Sequence, residues 1–284
     1  METLLLTGGS GFIGRSILAS PLAKEYTILA PTHKELDLLD ADAVMEYMLK
    51  HQPDKIVHAA TLGDVPLAIE ANTRMYLNLV KCHPLFGRMF HLSSGAVYDR
   101  SQWLRGIRET ELGRNIPTDP YGYSKYLICH IANMVDTVTD LYLFGVYGHG
   151  EAPERFPSRA LRMALKGGTP LIYRDRKMSF MWVEDFIKNL RSLLKIPLPY
   201  KLSWGYNMVP DRAVYLSEFW KEISEVVSPG MEPDMNIEQS GMAPSYVGSN
   251  GKIKNLFRDL FLPWAESSVD GAIRSMQYRM KEER

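Results

Sequence analysis

A tyrosine and a lysine stand four residues apart in Tyr121-Gly122-Tyr123-Ser124-Lys125. On a helix this spacing sets both side chains on one face. An ammonium beside a phenol favours the phenolate and draws its pKa down from about 10, which suits Tyr121 to acid–base work on a carbonyl/alcohol pair. Taken alone, the pair is also what a surface helix carries by chance. Tyr123 and Tyr126 have no lysine four residues later and read as packing or wall residues. A second group is Phe90-His91-Leu92-Ser93-Ser94-Gly95-Ala96-Val97-Tyr98, where an apolar run ends in two serines. Their hydroxyls either hold a substrate oxygen or simply cap the end of a strand. The third group is Thr7-Gly8-Gly9-Ser10-Gly11-Phe12-Ile13-Gly14, glycines at G-x-x-G-x-x-G spacing directly after Leu4-Leu5-Leu6. Gly8 would turn the strand, Gly11 would admit a pyrophosphate and Gly14 would let a helix lie close to the sheet. The first N–H groups of that helix would then face the phosphates. Between a strand and a helix, such a turn points to a dinucleotide.

These groups need a scaffold that presents strand ends and helix starts to one cleft. Apolar runs near residues 3–6, 26–30, 55–59, 89–92 and 141–146 alternate with helical patterns at 12–22, 40–50, 67–82 and 120–135. Asp40 is placed to cap the helix that follows it. Alternation of this kind predicts an α/β fold with a doubly wound parallel sheet, whose ligands bind at the carboxyl ends of the strands. Residues 1–150 read as a Rossmann-type nucleotide-binding domain. Residues 151–284 read as a smaller α/β substrate lobe, with chain segments interleaving between the two.

The 284 residues are 45% hydrophobic and carry 33 basic and 33 acidic side chains, for a net charge of zero. That balance offers no global field to draw nucleic acid or an anionic membrane. No apolar run reaches the roughly 20 residues a membrane span needs. The first strand begins too early for a signal peptide, so a cytoplasmic location is expected. Two cysteines, Cys82 and Cys129, make neither a disulfide framework nor a metal cluster and read as buried thiols.

Taken in order, the glycine turn, His58-Ala59-Ala60, Ser93-Ser94-x-x-Val97-Tyr98, Pro120-Tyr121-x-x-x-Lys125 and Leu143-Phe144-x-Val146-Tyr147-Gly148 resemble the extended short-chain dehydrogenase/reductases that act on nucleotide sugars. The likeness continues more loosely through Val183-Glu184-Asp185 and Tyr206-Asn207. The resemblance implies that Ser94, Tyr121 and Lys125 are catalytic. Tyr121 would exchange the proton, and Lys125 would tune it and hold the nicotinamide ribose. It places Thr7, Gly8, Gly11, Phe12, Ile13, Gly14, Leu38, Ala59, Ala60 and Thr61 against the cofactor. Asn72 would help hold the active-site water network. Ser94, Gly95, Tyr147, Arg155, Arg159 and Arg176 would face the substrate, the arginines meeting its diphosphate.

Within that family the 4,6-dehydratases place an Asp-Glu pair after the catalytic Ser/Thr, where this chain has Gly95 and Ala96. The epimerising cysteine of the fucose synthase type falls at Ala96 as well. Neither residue moves a proton. The second predicted strand ends in Pro31-Thr32-His33-Lys34 without a carboxylate. Thr32, His33 and Lys34 suit a 2′-phosphate, which favours NADP(H) over NAD(H). The expected activity is therefore NADPH-dependent reduction of a nucleotide-linked 4-keto-6-deoxy sugar. The alternatives are a 4-epimerase that retains NAD and a nicotinamide-binding sensor without turnover. A homodimer through helices 67–82 and 120–135 would fit the family, though the same apolar faces also serve as core.

Overall fold

The computed structural model describes residues 1–282. Strand β1 (Thr3–Thr7) buries Leu4, Leu5 and Leu6 completely, as a parallel strand covered on both faces must. The chain continues through α1 (Phe12–Leu18), α2 (Leu22–Glu25), β2 (Thr27–Leu29), α3 (Ala41–His51), β3 (Lys55–His58), α4 (Ala68–Val80) and β4 (Arg88–Ser94). Asp40 caps α3 by accepting from the N–H groups of Asp42 and Ala43, both at 3.0 Å. Next come β5 (Leu104–Ile107), α5 (Pro120–Ala132), β6 (Val138–Leu143) and β7 (Gly145–Tyr147). The remaining elements are α6 (Phe156–Ala164), β8 (Leu171–Ile172), β9 (Lys177–Met178), β10 (Phe180–Trp182), α7 (Val183–Leu194), β11 (Gly205–Met208), β12 (Val214–Tyr215), α8 (Leu216–Val227), β13 (Asn236–Ile237), β14 (Tyr246–Gly248), α9 (Gly251–Asp259) and α10 (Val269–Glu282).

Six strands form the central sheet in the order β2-β1-β3-β4-β6-β11, every neighbouring pair parallel. Strand alternation sorts the side chains. Leu4 and Leu6 pack with Ile17 of α1, Phe186 and Leu190 of α7 and Phe257 of α9. Leu5, Ile56, Met89 and Val138 pack on the other face with Met48 of α3, Leu79 of α4 and Ile128 of α5. The strand order reverses between β1 and β3, so a crevice opens at their carboxyl ends.

The second lobe is built around β12-β9-β14-β5 and a helical layer in which Phe219 and Ile223 of α8 meet Leu161 of α6 and Ile273 of α10. The lobes interlock. Strand β5 leaves the first half to pair with β14, and β11 and α7 return from the second half to the central sheet. Among the described residues no helix is long and apolar enough to cross a membrane.

Candidate active site

The glycine turn forms one wall of a cleft of ≈ 780 Å³ at the crevice. Gly8 has φ +72°, and a Cβ there would stand 2.6 Å from the Ala60 nitrogen. A Cβ on Gly14 would stand 2.2 Å from the Gly8 oxygen. Neither position admits a side chain. Gly11 begins α1 without a side-chain cap, and no acid sits in the first turn, which leaves the Phe12 and Ile13 N–H groups for an anion. Thr7, Gly8, Gly11, Phe12, Ile13, Gly14, Thr32, His33, Leu38, Ala59, Ala60 and Thr61 all line the cleft. The Ser93 hydroxyl also lies there, buried and without a partner. A shape closed to side chains, open to phosphate and lined by unpaired donors fits a dinucleotide.

At the far end the turn after β2 folds back on itself. The Thr32 N–H and hydroxyl donate to the Glu35 carboxylate at 2.7 and 2.8 Å, and His33 Nδ1 lies 3.7 Å from Asp37. Asp37 lines the cleft and Lys34 does not. The carboxylate missing from the strand end is thus supplied by the turn, and His33 is the one basic group of this turn at the wall. Asn72 is likewise placed differently from expectation. Its amide is spent on Leu62 N–H (2.7 Å), Leu62 C=O (3.1 Å) and Ser124 Oγ (3.1 Å), so it ties the loop after β3 to α5 from behind the wall.

Ser94 closes β4, and its hydroxyl accepts from Ala96 N–H at 3.1 Å. Tyr121 sits in the first turn of α5, a turn set by Pro120 and by Asp119, which accepts from Gly122 N–H at 2.7 Å. The Ser94 hydroxyl lies near enough to the Tyr121 and Tyr246 phenols to draw both down in pKa. Burial pushes the Tyr121 phenol above its ordinary value, against the pull of the Ser94 hydroxyl and the charges of Arg100 and Arg155. A lowered phenol was expected from Lys125. Instead Lys125 is 1% exposed and turned beneath the ring, its Nζ 5.5 Å from the Tyr121 centroid and 3.2 Å from His91 Nε2. Burial draws this ammonium down to about 8, opposed by the Asp140 charge.

On the substrate side, Arg155 lines the cleft with its Nε 2.9 Å from Glu151. Arg176 is partly buried, its Nε has no partner, and its charge reaches Tyr246. The other substrate expectations lie elsewhere. Arg159 donates to Leu171 C=O at 2.9 Å inside the second lobe. Tyr147 belongs to that lobe's core, its ring 5.2 Å from Phe219. Gly95 leaves room for the Phe144 ring, which a Cβ would meet at 2.7 Å. Two residues of the site escaped the sequence reading. Arg100, paired with Asp119 at 2.7 Å and Asp64 at 3.6 Å, carries only the hint of a cation just past Tyr98. Tyr246 has no local signal at all, because β14 reaches Ser94 only through the second sheet. Among the described residues no group of three His, Cys, Asp or Glu is placed to hold a metal ion.

Comparison with known proteins agrees with this architecture. Over 305 aligned residues the chain is 25% identical to the GDP-L-fucose synthase of Azorhizobium caulinodans, covering 96% of this chain and 95% of the relative. It is 30% identical over 160 residues to the GDP-6-deoxy-D-talose 4-dehydrogenase of Aggregatibacter actinomycetemcomitans, covering 52% of this chain and 54% of the relative. The solved GDP-L-fucose synthetase of Naegleria fowleri bound to NADP superposes with a TM-score of 0.81 at 15% identity, over 99% of this chain and 94% of that one, and shares its fold. A family model matches residues 4–197, and the chain belongs to the NAD-dependent epimerase/dehydratase family.

Proposed function

We propose that the chain is an NADPH-dependent reductase acting on the C4 ketone of a nucleotide-linked 4-keto-6-deoxy sugar. The observation that carries this reading is that Ser94 and Tyr121 line the dinucleotide cleft together, the phenol kept protonated by burial. Ketone reduction needs an acid that still holds its proton at neutral pH, and a raised tyrosine supplies one. The nicotinamide, when bound, supplies the hydride to the carbonyl carbon. Tyr121 gives its proton to the carbonyl oxygen while Ser94 donates to the charge developing there. The Lys125 cation beneath the ring stabilises the phenolate left behind. Phe12 and Ile13 N–H groups would hold the pyrophosphate, and His33 would meet the adenosine end. Arg155, Arg176 and Arg100 present cations on the substrate side for a diphosphate.

Gly95 and Ala96 beside Ser94 offer no group to eliminate water or invert a neighbouring carbon. Two relatives named for GDP-linked deoxy sugars make GDP the nucleotide to test first. The test is loss of reduced-nicotinamide absorbance with NADPH and with NADH, offering 4-keto-6-deoxy sugars on GDP, TDP and CDP made in situ by a dehydratase. Oxidation of NADPH with the GDP sugar is the expected result. Silence with all three sugars, together with an NAD that leaves the protein only on denaturation, would replace the reading with a 4-epimerase.

A further inference from the structure

Strand alternation lines up four polar side chains across the helix-covered face on which α4 and α5 lie. Thr7 stands opposite His58, His58 opposite His91, and His91 opposite Asp140 in adjacent strands. All are 2% exposed or less, in a layer where neighbouring positions carry Leu5, Ile56, Met89 and Val138. Polar groups at such depth cost several kcal/mol each unless they are partnered. Thr7 Oγ1 meets His58 Nδ1 at 2.7 Å, the His58 and His91 rings stack at 5.2 Å, and His91 Nδ1 meets Asp140 Oδ1 at 3.0 Å. On its other side His91 Nε2 meets Lys125 Nζ at 3.2 Å. Lysine nitrogen as ammonium only donates, so Nε2 must accept and the ring proton must sit on Nδ1, facing the carboxylate. The second Asp140 oxygen has no partner, which leaves His91 as its one hydrogen-bonded contact.

We propose that His91 and Asp140 are positioning residues for Lys125: the carboxylate acts through the imidazole to hold the lysine under Tyr121 and keep it charged. The proposal rests on the catalytic reading of Lys125 given above. Lysine and carboxylate depend on each other. Burial draws the ammonium down to about 8 and pushes the Asp140 carboxyl up, and each charge opposes the other's shift. The remaining titratable groups around them are His58 on β3, Tyr76 on α4, Tyr142 on β6, and Tyr121 and Cys129 on α5. Burial holds both histidines well below their ordinary value, and Tyr76, Tyr142 and Cys129 above theirs, so at neutral pH these stay uncharged. Among them Asp140 is the one acid whose ionisation the Lys125 charge favours.

The first test needs no substrate: nitrogen-15 histidine NMR on the whole chain, with the His91 signals assigned by their loss in His91→Asn. The expected spectrum shows His91 neutral, protonated on Nδ1 and unchanged from pH 5.5 to 7, below the loss of the Lys125 proton near 8. An Nε2-protonated ring, or one that titrates in that range, would overturn the proposal, whatever the reaction proves to be. The second test compares pH profiles of kcat. Asp140→Asn keeps an acceptor for His91 but removes the charge, so the ammonium is lost at lower pH. The alkaline limb should move down by about one pH unit, with KM for the sugar unchanged at pH 6. A uniform loss at every pH would mean a merely structural role and would contradict the proposal. If Asp140→Asn does not fold, His91→Asn, which can still accept from Lys125, should keep more activity at pH 6 than His91→Leu, and equal losses would count against it.

Discussion

Ser94 offers one hydroxyl to two phenols, and the two are not equivalent. Tyr121 lines the cleft, whereas Tyr246 is 6% exposed, packed 4.7 Å from the Phe144 ring and facing the charges of Arg100 and Arg176. Burial raises both phenols, so both enter catalysis protonated. Tyr121→Phe removes the proton donor and should lower kcat about 10²- to 10⁴-fold while leaving nicotinamide binding intact in a fluorescence titration. Tyr246→Phe removes only a partner of Ser94 and should cost about tenfold, chiefly in kcat. Equal losses, or an active Tyr121→Phe, would assign the proton to the wrong tyrosine. Ser94, Tyr121 and Lys125 were legible because each sits within a few residues of a strand end or helix start. Tyr246, and the part played by His91, were not, since their partners come from other strands and other helices. Spacing along α5 set Lys125 beside Tyr121, but its hydrogen-bond partner His91, on β4, could not be read from it.

At the scale of elements, the first turn depends on how closely α1 approaches β1. A methyl group on Gly14 would meet the Gly8 oxygen at 2.2 Å, and that oxygen is backbone that cannot swing aside. Gly14→Ala should therefore destabilise the fold by about 1–3 kcal/mol and weaken dinucleotide binding. Gly11→Ala, whose Cβ meets only the Gly8 oxygen at 3.3 Å, should fold near normally and lose binding alone. Thermal melts with and without cofactor separate the two effects. Elements of this half were readable to within a few residues, the helix expected at 120–135 running Pro120–Ala132. Most strands of the second lobe were not. Several, such as Lys177–Met178, Val214–Tyr215 and Asn236–Ile237, are two residues long and have no periodicity to read.

For the whole molecule, the site exists because the chain passes repeatedly between its lobes: β5 pairs in the second sheet, while α7, β11 and α9 return to the central one. Glu151 marks the entrance to the second lobe, 3% exposed, its carboxylate accepting from Ser158 at 3.0 Å and ion-paired with Arg155 at 2.9 Å. Burial raises it to about 7, opposed chiefly by Arg155. The folded state thus holds this proton more tightly than the unfolded chain. The stability it brings is complete below about pH 4.5 and is lost as pH rises through 7, a change on the order of 3 kcal/mol. The melting temperature should fall between pH 5 and pH 8, and Glu151→Gln should flatten that fall. A variant with the wild-type slope would remove Glu151 from the account.

The central claim is net transfer of hydride to the sugar with Tyr121 as acid. It is tested most directly with NADPH deuterated at C4 in each face in turn, a GDP-linked 4-keto-6-deoxy sugar, and mass spectrometry of the product. The account predicts one deuterium in the product from one of the two faces, one NADP⁺ formed per sugar reduced, and loss of both in Tyr121→Phe. A product without deuterium from either face, formed with no NADPH consumed, would contradict it.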